Sequence, residues 1–196
     1  MDKTLEYYNN AAKEYVKDTM DANVLLDLNS FFLKNLPAKA AILDIGCGSG
    51  RDSKLFIEKG YTVTAIDGST EICKLASDYI GQDVICMKFD EIDYENRFDG
   101  VWACASILHV PSKDLRQIFR KISRALKDNG YFFACFKYGE FEGERNGRYF
   151  TDLTENKLKE VIADIENLQI VETSITVDVR TGRENEKWLN AIMRKN

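Results

Sequence analysis

Residues 43–50 read Leu43-Asp44-Ile45-Gly46-Cys47-Gly48-Ser49-Gly50, and the fold turns on them. Just upstream, residues 40–45 form a short apolar run bounded by Pro37 and by the glycines, the pattern of a buried strand. Downstream, residues 52–59 carry a helical pattern closed by Gly60. Glycines between a strand and a helix let the chain turn tightly and let a ligand approach bare backbone. Residues 61–66 are β-branched and aromatic, so a second strand. Ser69 then stands as the N-cap of a helix running to about Tyr79 and ended by Gly81. Further strands are expected over 83–89, 98–104 and 131–136, the last entered through an Asn129-Gly130 turn, with an amphipathic helix over 112–126. The alternation predicts right-handed βαβ units: an α/β chain with a doubly wound parallel sheet covered on both faces.

The flanks complete the frame. From Leu5 to Leu36 apolar residues fall at helical spacing (Val24, Leu25, Leu28, Phe31, Phe32 and Leu36), until Pro37 stops them. One or two helices are expected there, an N-terminal cap over 1–36. Residues 138–150 are rich in Gly, Glu and Arg and read as a loop or lid. Thr154 caps a helix to Ile165, and residues 168–179 and 187–193 flank a turn-rich stretch, an antiparallel hairpin. No repeat or linker interrupts residues 1–196, so a single domain is expected.

Composition narrows the function. The 196 residues are 44% hydrophobic and 30% charged, enough for one core and too few for two comfortable domains. A net charge of -5 supplies no global field to gather nucleic acid or anionic membrane. No apolar run approaches the roughly 18 residues that a membrane span needs, and the polar, acidic start suggests no signal peptide. Five widely spaced cysteines, an odd count without a Cys-x-x-Cys pair, fit neither a disulfide framework nor a zinc site, and point to a cytoplasmic location. Cys86, Cys104 and Cys135 lie in apolar runs and are expected to be small buried hydrophobes. The single histidine, His109, excludes a multi-histidine metal site, and no metal is expected.

The ligand follows from charge. Asp67 ends the second strand, where its carboxylate can accept two hydrogen bonds from a ribose diol. The dinucleotide fingerprint is G-x-G-x-x-G, but here the third glycine comes one residue early and Arg51 stands in its place. Asp44, two residues before Gly46, would face a docked pyrophosphate. At an effective dielectric of ~20, two unit charges ~5 Å apart repel by about 3 kcal/mol. A nucleoside bearing an ammonium and a sulfonium reverses that sign, and S-adenosylmethionine is such a ligand.

Over about residues 40–137 the chain resembles the class I S-adenosylmethionine-dependent methyltransferases. The resemblance rests on residues 43–50, on Asp67-Gly68, on Phe89-Asp90, on residues 98–109 and on residues 126–130, in that family's order and spacing. It implies a Rossmann-like seven-stranded sheet of order 3-2-1-4-5-7-6 with strand 7 antiparallel. It also implies roles. Asp44 and the backbone of Gly46, Cys47, Gly48 and Gly50 would hold the methionine end, with the Cys104-Ala105 backbone lining it. Asp67 would hold the ribose, and Asp90 the adenine amino group, with Phe89 and Gly68 lining the adenine slot. Tyr8 and Tyr15 could close over the cofactor or simply pack on the sheet.

Methyl transfer is a displacement in which the protein supplies approach and alignment, so no catalytic dyad is required. His109 is the candidate base if the nucleophile must lose a proton. Residues 103–106 lack an Asn-Pro-Pro-Tyr-like stretch, which argues against the base and glutamine amino-methyltransferases that use it. Gly147-Arg-Tyr-Phe-Thr-Asp-Leu153 resembles a segment of small bacterial methyltransferases close to the tellurite-resistance type. Arg145, Arg148, Arg180 and Arg183, with Tyr138, Tyr149 and Trp188, fall in segments near the active edge. Either Glu140, Glu142 and Glu144 neutralise these arginines, or one of them, foremost Arg148, orients an anionic substrate. Tyr138, Arg148, Tyr149 and Arg180 are the expected acceptor-binding set. The leading reading is transfer to a small molecule. The alternatives are a tRNA or other nucleic-acid methyltransferase, which the charge disfavours, and a non-catalytic S-adenosylmethionine-binding regulatory subunit. An NAD-dependent oxidoreductase is set aside by the charge at Asp44. The oligomeric state is not legible.

Overall fold

A computed structural model describes residues 3–20, 26–178, 180 and 182–196. The helical spacing at Val24 and Leu25 and the strand end at Val179 lie outside the described residues. Three helices come first: α1 (Lys3–Asn10), α2 (Ala12–Met20) and α3 (Leu26–Leu33). Then follow β1 (Ala41–Ile45), α4 (Arg51–Glu58), β2 (Thr62–Asp67), α5 (Thr70–Ile80), β3 (Ile85–Cys86), β4 (Phe98–Ala103), α6 (Ser112–Ala125) and β5 (Leu126–Lys137). The chain ends with β6 (Glu142–Arg145), β7 (Arg148–Thr151), α7 (Glu155–Ile162), β8 (Leu168–Val177) and β9 (Lys187–Lys195).

Seven strands form one sheet in the order β3-β2-β1-β4-β5-β9-β8. Strands β1 to β5 pair in parallel, and β9 runs antiparallel to both β5 and β8. Counting only this sheet's strands, that is the expected 3-2-1-4-5-7-6. The central strands are apolar on both faces because helices cover both. Leu43, Ile45, Val101 and Phe132 pack with Phe119 of α6 on one side. Ile42, Trp102 and Phe133 pack with Phe32 of α3 and Phe56 of α4 on the other. Among the described residues no helix is long and apolar enough to cross a membrane.

Several elements differ from the sequence reading. Among the described residues, the cap before the sheet holds three helices rather than one or two. The third strand keeps only two residues, because it is the sheet edge and finds partners only at Ile66 and Asp67. Cys86 is consequently exposed, not a buried hydrophobe, whereas Cys104 is half-buried and Cys135 buried. The Asn129-Gly130 turn is absorbed into β5 as an irregularity, with Asn129 at φ 65° and a register shift opposite Phe98 and Gly100.

Residues 138–150 are not a loop: β6 and β7 form a separate two-stranded antiparallel sheet. Its turn is Asn146-Gly147, both at positive φ (52° and 77°), the dipeptide that two-residue hairpins favour. The hairpin escaped notice because its strands are polar on the outer side, while Phe150 and Thr151 are buried. Nor do its glutamates neutralise its arginines. Arg145 pairs with Asp152, Glu144 with Lys3, and Glu142 accepts from Ser112 N–H and Tyr149 Oη.

Candidate active site

The glycine turn links β1 to α4. Gly46, Gly48 and Gly50 all lie at positive φ (67°, 56° and 78°), a region that side chains strain. Space demands glycine as well. A Cβ at Gly46 would sit 2.6 Å from Ser106 Cβ, and one at Gly48 would sit 2.8 Å from Tyr15 Oη. The turn is pinned to β2 by Gly46 and Cys47 N–H donating to the Ile66 carbonyl at 2.8 and 3.0 Å. Gly50 instead serves as the N-cap of α4 and packs toward Ile80 and Ala76 of α5, lining neither cavity described below.

Asp67 ties this turn to the next one. Its Oδ2 accepts from Gly48 N–H at 3.1 Å and its Oδ1 from Ser69 N–H at 2.9 Å. Burial pushes its carboxyl up, and these backbone donors offset only part of that rise. Each oxygen keeps a lone pair for a diol.

Asp44 lies beneath the turn, 2% exposed, with Ser53 Oγ donating to its Oδ2 at 2.6 Å. Burial, then the neighbouring Asp52 carboxylate, pushes its carboxyl up to about 8. Asp52 is held by Trp102 Nε1 at 3.0 Å and by Arg51 Nε at 3.1 Å. The argument from charge is refined accordingly. Arg51 and the Ser53 hydroxyl offset this rise only in part, and a cationic ligand beside Asp44 would pull its carboxyl further back down.

Two cavities meet here. One, of about 480 Å3, is lined by Gly46, Gly48, Asp67, Gly68, Phe89 and Asp90, roofed by Leu5, Tyr8 and Tyr15. The other, of about 1090 Å3, contains Asp44, Cys47, Cys104, Arg148, Trp188 and Asn190 among its walls. Tyr8, Tyr15, Gly46, Ala105 and His109 border both. The N-terminal helices thus lie over the turn rather than only on the sheet.

His109 follows β4, in a short 3-10 turn. Its Nδ1 lies 2.6 Å from the Tyr149 carbonyl, which can only accept, so Nδ1 carries the proton. Its Nε2, 2.9 Å from Tyr8 Oη, then accepts from that hydroxyl when the ring is neutral. Arg148 Nη1 donates to the same Tyr8 Oη at 3.4 Å, and the Arg148 guanidinium lies 4.6 Å from the Tyr7 ring centroid.

Of the expected acceptor set, Tyr138, Arg148 and Arg180 line the larger cavity. Tyr149 does not: its hydroxyl turns to Glu142, and only its carbonyl reaches the site. Arg180 grips Asp178 through Nε (2.8 Å) and Nη2 (2.5 Å), beside Lys137. Sequence reasoning missed Ser106, Asp152 and Asn190. Asn190 had a signal, a lone amide inside the apolar run of residues 188–193.

The residues fit S-adenosylmethionine. The buried Ser106 Oγ beside Gly46 has no partner, Asp67 offers two oxygens to a diol, and the raised carboxyl of Asp44 is one that a cation alongside would bring back down. The sheet order is that of a Rossmann-like fold, and the site beside its glycine turn offers the contacts that this nucleoside would take.

Residues 43–134 match the family model described as a methyltransferase domain. An uncharacterized methyltransferase of Staphylococcus carnosus is 25% identical over 163 residues, 79% of each chain. The malonyl-[acyl-carrier protein] O-methyltransferase of Priestia megaterium is 29% identical over 69% of this chain and 52% of that one. Beyond the first of these, the chain spans about half the length of several curated relatives it matches. Among solved structures, the 1,6-didemethyltoxoflavin-N1-methyltransferase of Burkholderia thailandensis superposes with a TM-score of 0.79 at 22% identity. The match covers 98% of this chain and 87% of that one. A methyltransferase of Methanosarcina mazei gives 0.75 at 22% identity, over 87% and 99%.

Proposed function

We propose that the chain transfers a methyl group from S-adenosylmethionine to a small-molecule acceptor by direct displacement. The observation that supports this is the pair of adjoining cavities with a shared border at Tyr8, Tyr15, Gly46, Ala105 and His109. The smaller holds the adenosine and the larger the acceptor, so the reacting atoms meet at the border. The larger is walled by α2, by the β6–β7 hairpin and by the end of the sheet, a room of molecular rather than macromolecular dimensions. The Burkholderia thailandensis neighbour, solved with 1,6-didemethyltoxoflavin and S-adenosylhomocysteine bound, supports a small acceptor. The five free cysteines support a cytoplasmic setting.

When bound, the cofactor supplies a methyl group on a sulfonium. Asp67 holds the ribose hydroxyls, Asp90 and Phe89 the adenine, and Asp44 the ammonium end. Ala105 and Cys104 present backbone along the methionine. Tyr8 and Tyr15 cover the pair and exclude water. A proton leaving the nucleophile passes to Tyr8 Oη while the Tyr8 proton moves to His109 Nε2, and the Tyr149 carbonyl steadies the resulting imidazolium. Arg148 forms no ion pair among the described residues, and its Nε is buried without a partner, so it is the group to orient an anionic or acceptor-rich substituent.

Calorimetry with S-adenosylmethionine, S-adenosylhomocysteine and NAD tests the cofactor, and radiolabelled methyl transfer to a panel of small acceptors tests the reaction. Retained cofactor binding with no transfer to any small acceptor overturns the proposal. With an acceptor in hand, Arg148→Ala is expected to weaken its apparent affinity and leave cofactor affinity unchanged. Unchanged acceptor affinity removes Arg148 from the role.

A further inference from the structure

Asn190 is an amide on a sheet face that also carries Trp102, Phe133, Cys135 and Ile192. It sits on β9, in register with Cys135 of β5 and Ser174 of β8, and none of it is exposed. Its Nδ2 donates to Thr176 Oγ1 at 3.0 Å and toward the Ser174 carbonyl at 3.4 Å. A carbonyl only accepts, which fixes the amide orientation. Its Oδ1 is therefore an acceptor, and it has no partner. Asp152, 7% exposed, repeats the pattern: Arg145 occupies Oδ2 at 2.9 Å, while Oδ1 is buried and unpartnered. Both residues line the larger cavity. Buried acceptors are almost always satisfied, and two orphans in one cavity point to a ligand that satisfies them.

We propose that Asn190 Oδ1, assisted by Asp152 Oδ1, selects a methyl acceptor bearing N–H or O–H donors, and that Asn190 is the specificity-determining residue of this cavity. The inference rests on the reading that this cavity takes the acceptor. An acceptor lacking the donor leaves the two oxygens dry and unpaired, which is how a buried polar site discriminates strongly between near-isosteres. Asn190 stabilises nothing on its Oδ1 side in the free protein. It belongs to recognition, not to the core.

The experiment uses the chain saturated with S-adenosylhomocysteine, and reads intrinsic fluorescence, because both tryptophans, Trp102 and Trp188, line this cavity. The probes are matched pairs: uracil against 1,3-dimethyluracil, and benzimidazole against 1-methylbenzimidazole. The donor-bearing members are expected to quench, with affinities at least about tenfold above their methylated partners. Asn190→Leu is expected to erase that preference while holding or raising the melting temperature of the ligand-free protein. A merely structural Asn190 predicts a lower one. Equal quenching within each pair overturns the inference without recourse to the variant, as does an absence of quenching by every donor-bearing probe. In a parallel assay with S-adenosylmethionine replacing S-adenosylhomocysteine, methyl transfer to a probe that leaves both tryptophans unchanged instead overturns the placement of the acceptor in this cavity.

Discussion

At the residue scale, two carboxylates at the glycine turn have opposite duties. Asp67 is held ready by two backbone N–H groups, and in the proposed function it accepts hydrogen bonds from a diol. A hydrogen bond to a charged acceptor contributes ~1.5–3 kcal/mol, so Asp67→Ala is expected to weaken S-adenosylmethionine by at least about tenfold in calorimetry. Asp44 is buried, and its carboxyl is pushed up to about 8. Between the ordinary carboxylate range and pH 8 the ligand-free fold holds a proton there that the unfolded chain does not. Its contribution to stability therefore falls as pH rises through that window. Binding a cation reverses the balance and expels the proton. Cofactor affinity is expected to rise with pH up to about 8, with proton release visible as buffer-dependent binding enthalpy at pH 6.5. Asp44→Asn is expected to remove both effects. A pH-independent affinity in the unaltered protein would show that Asp44 faces no cation.

At the scale of elements, α1 works as a clasp. Asn9 Oδ1 accepts from Ser69 Oγ at 2.7 Å, from Thr70 Oγ1 at 3.3 Å and from Glu71 N–H at 3.3 Å, so it supplements the Ser69 cap of α5. Thr4 Oγ1 accepts from Tyr149 N–H at 3.0 Å, fastening the other end of the same helix to β7. Losing a cap contact costs about 1 kcal/mol, so Asn9→Ala is expected to weaken cofactor binding by about fivefold. Stopped-flow dissociation would register it as faster release, and an unchanged release rate would show that α1 is no clasp. None of this clasp is visible in the sequence, because it joins residues some 60 and 145 positions apart. The sheet was legible for the opposite reason: its strands are continuous apolar runs between local punctuation such as Ser69 and Gly81. The glycine turn and Asp67 were legible because chemistry and spacing coincide within a few residues. The hairpin of β6 and β7 was announced by Asn146-Gly147, but the surrounding charge read as loop. The orphaned oxygens of Asp152 and Asn190 are products of packing alone.

At the scale of the molecule, the sheet is a partition between two apolar layers, and the N-terminal segment completes one of them. Phe32 of α3 is fully buried, with its ring centroid 5.2 Å from Trp102 and 6.2 Å from Phe56. Gly100 makes room for it: a Cβ there would lie 2.7 Å from Phe32 Cζ. Phe32→Ala is expected to cost about 3–5 kcal/mol in urea unfolding, and a loss under 1 kcal/mol would mean that α3 is not part of the core. The border between the two cavities has a kinetic corollary. Tyr8, Tyr15 and His109 cannot shift to admit one guest without reshaping the chamber of the other. Turnover should therefore follow a compulsory sequence, nucleoside first and last, with the demethylated nucleoside a competitive inhibitor of its parent and a noncompetitive one of the second substrate.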